Sequence, residues 1–98
     1  MELVYTYEMD GDKAMKKLLD EEFWKRLGPT VRECRAMGYD MAGMCMYIKA
    51  RDELAEEARK LLERSPAKEL LGEERERLLK AFREEAEAAE AGMGAIFG

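Results

Sequence analysis

Residues 2–9, ELVYTYEM, carry the clearest strand pattern in a chain that otherwise reads mostly as helices. Leu3, Tyr5, Tyr7 and Met9 alternate with Val4, Thr6 and Glu8, and period-two alternation rich in β-branched and aromatic residues marks a strand. A single strand leaves its backbone amides and carbonyls unpaired, so a second extended segment must exist to satisfy them. Two stretches are candidates. The first is residues 38–49, GYDMAGMCMYIK, and the second is the apolar, glycine-flanked end AGMGAIFG.

The first candidate supports two readings. As a strand it is apolar on both faces, with Ala42, Met44, Met46 and Ile48 on one and Met41, Gly43, Cys45 and Tyr47 on the other. That is how a covered central strand looks. As a helix it would place Met37, Met41, Met44 and Ile48 on one stripe, with Asp40 as its cap. Methionine, alanine and cysteine do not favour strands, yet the first strand needs a partner, and the strand reading is preferred on that ground.

The remaining segments have helical spacing. Ala14, Met15, Leu18, Leu19, Phe23 and Leu27 form one apolar face, ended by Gly28-Pro29 because proline cannot continue the hydrogen-bond ladder. Thr30 and Glu33 stand in capping-box spacing, which predicts a short helix through Val31, Cys34 and Met37. Leu54, Ala55, Ala58, Leu61 and Leu62 predict another helix. Ser65-Pro66 signals a further start, with serine as cap and proline in the first turn. A long amphipathic helix carrying Leu78, Leu79, Phe82, Ala86 and Ala89 follows Gly72. The expected fold is a helix-dominated α+β domain over residues 1–98, with about four helices and a two- to three-stranded sheet. The alternative is an all-α bundle with a short N-terminal strand.

Composition removes several chemistries. The chain has no histidine, so neither a Ser-His-Asp nor a Cys-His pair can form, and histidine-containing zinc sites are excluded. With a net charge of −5, nucleic acid is not an expected partner, because phosphate contacts need a basic surface. No phosphate-cradling glycine motif occurs. No apolar run approaches the roughly 20 residues that span a bilayer, so the expectation is a cytoplasmic protein with no membrane partner.

Four groups of residues could carry function, each set against a plainer role. Cys34, Met41, Met44 and Cys45 are soft ligands suited to Cu(I), although methionine-rich segments more commonly fill cores or form adaptable interfaces. Cys34 is flanked by Arg32 and Arg35, which would favour its thiolate, but it also fits as a small buried residue. Tyr5 and Tyr7 could stack bases, yet Glu2 and Glu8 share their strand, and core or interface packing explains them better. Glu84, Glu85, Glu87 and Glu90 could meet a basic partner, but a solvated helix face explains them better, because Arg83 with Glu87 and Lys80 with Glu84 are spaced to pair along the helix.

The sheet decides the functional expectation. If helices cover only one of its faces, the second apolar face of residues 41–48 must be covered by another subunit. The sequence therefore predicts a small self-associating interaction module, a homodimer without catalysis or cofactor of its own. Its expected interface is Tyr5, Tyr7, Met44, Met46, Ile96 and Phe97. The alternative is a soft-metal or thiol-based protein built on Cys34, Cys45 and the neighbouring methionines.

Overall fold

The structure, a computed structural model, describes the backbone of residues 1–97 and the side chains of residues 1–89. In chain order it comprises β1 (Glu2–Glu8), α1 (Asp12–Leu19), α2 (Glu22–Leu27), β2 (Thr30–Glu33), β3 (Gly43–Lys49), α3 (Asp52–Leu62), β4 (Lys68–Glu69) and α4 (Gly72–Phe97). The strands form one antiparallel sheet in the order β2-β3-β1-β4. The α+β class expected from the sequence holds, and the sheet has one strand more than the upper expectation.

β3 is the partner that β1 requires. The two pair along their whole length, from Glu2 opposite Lys49 to Glu8 opposite Gly43. Pairing satisfies a full row of backbone groups on each strand, and that gain overrides methionine's weak strand propensity. The C-terminal segment does not join the sheet, because α4 continues as a helix through Phe97.

Two local signals mislead. The Thr30–Glu33 capping box starts no helix, and these residues form the edge strand β2, with Val31 opposite Met46 and Arg32 opposite Cys45. Gly28 ends α2 in the left-handed conformation, with φ of 67°, and Pro29 then leads into extended backbone. Thr30 and Val31 are β-branched and pack at a sheet edge as readily as they would start a helix. Ser65 likewise caps no helix. Its hydroxyl donates to the Leu62 carbonyl at 2.7 Å and accepts the Ala67 amide at 3.1 Å, shaping the turn that delivers β4 to the free edge of β1.

The sheet separates two cores. On one face Leu3, Tyr5, Tyr7, Met46 and Ile48 meet Met15 of α1, Trp24 of α2, and Ala55, Ala58 and Leu62 of α3. On the other face Val4, Cys34 and Cys45 meet Leu70 and the α4 residues Leu78, Leu79 and Phe82. The sheet therefore has helices on both sides. This corrects the expectation of an uncovered second face: the long amphipathic helix identified from sequence lies across it.

Candidate functional site

α4 is fixed to the sheet along one half of its length. Phe82 stacks on Tyr47 of β3, with ring centroids 5.3 Å apart and planes 18° apart. The Glu2 carboxylate accepts hydrogen bonds from Tyr47 and from Arg83, and Arg75 donates to the Glu2 carbonyl at 2.9 Å. Arg83 foremost, then Tyr47, holds the Glu2 carboxyl below its usual value. Further along, Arg32 of β2 donates to Glu85 at 2.7 Å. At the other end Tyr39 donates to Glu74 at 3.1 Å.

Past these anchors α4 leaves the body. Phe82 is its last fully buried residue among those described, and Ala86, Glu87, Ala88 and Ala89 are all exposed. A helix of 26 residues is about 39 Å long at 1.5 Å per residue, far longer than a seven-residue strand beneath it. The molecule is correspondingly elongated, measuring 45 × 29 × 26 Å.

Beneath the seated half lie the two cysteines. Their sulfurs are 2.9 Å apart, and both residues are 0% exposed. Burial raises both thiol pKa values, although the hydrogen bond donated by Cys45 offsets part of that effect at Cys34. Met37, Tyr39 and Met41 pack against the cluster that holds the pair.

The residues named from sequence are thus divided by the sheet. Tyr5, Tyr7 and Met46 are buried against α1–α3, where this chain's own helices already cover them, so they offer nothing to a second subunit. Met44, partly buried, lies on that same face. Of the four soft ligands, Cys34, Cys45 and Met41 share the α4 face, and Met44 is on the opposite side of the sheet. The four-residue metal set is therefore not assembled, and no cluster of three or more Cys, Asp or Glu ligands occurs among the described residues. The side chains of Ile96 and Phe97 lie outside the described residues.

Sequence reasoning missed the anchors Glu2, Tyr47 and Arg83. The only signal was Glu2 at the start of a largely apolar strand, without its partner 81 residues away. A cleft of about 640 Å³ also opens between α2 and α3, floored by Phe23, Leu27, Ala50 and Leu54. Its rim carries Glu22 and Glu57 as well as Arg26 and Lys49, a mixture of signs that selects no ligand class. Among the described residues no helix is long and apolar enough to cross a membrane. Comparison with protein-family models, with curated proteins and with solved structures finds no match to this chain.

Proposed function

We propose that this protein is a small self-associating interaction module whose docking element is the half of α4 beyond the body. The observation that carries this reading is the apolar stripe of α4, which does not stop where the sheet does. Leu79, Phe82, Ala86, Ala89, Met93 and Ile96 recur at alternating spacings of three and four, the seam of a coiled coil. The sheet takes up Leu79 and Phe82 and leaves Ala86 and Ala89 exposed. Gly92 and Gly94 each cost a helix about 1 kcal/mol relative to alanine, and a packed seam would offset that cost. A second copy offers the same stripe, and twofold pairing is the commonest way for identical chains to meet. The interface is therefore moved from the tyrosine and methionine face of the sheet to the free end of α4.

Sedimentation equilibrium of the full chain tests this. The expected result is a dimer at high micromolar concentration, converted to monomer by Ala89→Lys with no change in the thermal melt. Because Glu84 and Glu87 would approach their own counterparts, the dimer should tighten as salt screens them. A wild-type chain that stays monomeric throughout the concentration range refutes the assignment. Association that weakens with salt would mean attraction between opposite charges on the two copies and would overturn the seam assigned here.

A further inference from the structure

The chain has two cysteines, 11 positions apart, and the fold brings both to one buried contact. The register of the sheet does this. Arg32 is opposite Cys45, and the Cys34 amide donates to the Gly43 carbonyl at 2.9 Å, so Cys34 and Cys45 are diagonal neighbours across the β2–β3 edge. At Cys34 the backbone leaves the strand for a helical conformation, with φ of −57° and ψ of −42°, and the two sulfurs sit 2.9 Å apart. A disulfide bond measures about 2.04 Å, so the sulfurs need to close by only about 0.9 Å.

We propose that Cys34 and Cys45 form a reversible dithiol–disulfide couple that crosslinks the end of β2 to β3 beneath α4. The oxidant is a low-molecular-weight disulfide, RSSR. Cys34 loses its proton and its thiolate attacks one sulfur of RSSR, forming a mixed disulfide and expelling RS⁻. Cys45 then loses its proton and attacks the Cys34 sulfur, forming the Cys34–Cys45 bond and expelling the second RS⁻. Two protein thiols are oxidised, one RSSR is reduced to two RSH, and the two protons released end on those products.

Cys34 is the attacking residue because Cys45 donates a hydrogen bond to its sulfur, which favours the thiolate there, whereas the same contact disfavours a thiolate at Cys45. Full burial leaves neither sulfur free to meet a second copy, which directs the chemistry within the chain. Both sulfurs are shut off from solvent in a cluster that includes Leu78, Leu79 and Phe82 of α4 and against which Met37, Tyr39 and Met41 pack, so the oxidant enters only when this packing opens and the reaction is slow.

The test equilibrates the full-length protein in mixtures of oxidised and reduced dithiothreitol, blocks free thiols under denaturing conditions, and measures intact mass. The expected result is a single-chain species lacking two hydrogens and both alkyl adducts. Its share should rise with the oxidised fraction and vanish on reduction. Cys34→Ser should abolish it and leave Cys45 alkylated. Should that variant fail to fold, the wild-type titration decides alone. Two alkyl adducts at every ratio, or crosslinks only between chains, would overturn the assignment.

Discussion

The seat of α4 on the sheet is tested most directly by Phe82→Ala. Phe82 is 4% exposed and stacks on Tyr47, so its removal deletes both a buried apolar side chain and an aromatic pair. Truncating a core phenylalanine to alanine costs about 3–5 kcal/mol, from lost transfer energy and the cavity left behind. A domain of this size has a total stability of about 5–15 kcal/mol, so the change removes a large fraction of it. At about 4–8 °C per kcal/mol, the melting temperature should fall by more than about 10 °C. Urea unfolding followed by circular dichroism gives the free energy, with Glu84→Ala on the exposed side as a control expected to lie within about 0.5 kcal/mol of wild type. A second copy covering the sheet in place of α4 would make stability rise with protein concentration. A loss under about 1 kcal/mol for Phe82→Ala, or such a concentration dependence in the Ala89→Lys chain, would refute the placement of α4.

Other expectations follow from individual contacts. Glu2 has a folded-state pKa depressed below 4.5, so its contribution is fully present above that value and is lost as pH falls through the folded value. Glu2→Gln should therefore be less stable than wild type at neutral pH, with the gap closing below pH 4.5 in urea titrations across pH. Gly43→Ala would push a methyl group into the Tyr7 carbonyl where β1 pairs with β3, an overpacking that costs about 1–3 kcal/mol by urea denaturation. Closing the Cys34–Cys45 ring of about 12 residues should stabilise the oxidised form by about 3 kcal/mol through the chain entropy of the unfolded state. The urea midpoints of oxidised and reduced protein measure this, and equal midpoints would contradict it.

How far the sequence could be read depended on whether a signal was local. The alternation of residues 2–9 is local and survives in β1 from Glu2 to Glu8, with Met9 turned out of the strand and exposed. β3 was legible only because β1 demanded a partner, since Met44, Cys45 and Met46 on their own favour no strand. β2 was not legible: Thr30 and Glu33 satisfy a capping box as well as they satisfy an edge strand, and the choice falls to Val31 pairing with Met46. The destination of α4 was hidden for another reason. An amphipathic stripe specifies that a helix must be covered but not by which surface, and the Glu2–Arg83 pair that places it spans almost the whole chain. The contact between Cys34 and Cys45 likewise needs the β2–β3 register, which neither cysteine announces. Assigning Tyr5, Tyr7 and Met46 to an interface followed from expecting helices on one face of the sheet, whereas α1–α3 cover the face of these residues and α4 covers the other.

The two halves of α4 answer different energetic needs. The seated half closes the second core, and once Leu78, Leu79 and Phe82 are in place the body has no further demand for a partner. The free half has the opposite balance. Its exposed alanines, Ala86, Ala88 and Ala89, bury nothing. On the function proposed above, a matching stripe on another copy would supply the burial that this part of the helix lacks within its own chain. The thiol pair belongs to the seated half. Oxidation there constrains the unfolded chain and stiffens the sheet under Phe82 without touching Ala86 or Ala89, so it acts on folding and leaves assembly unchanged.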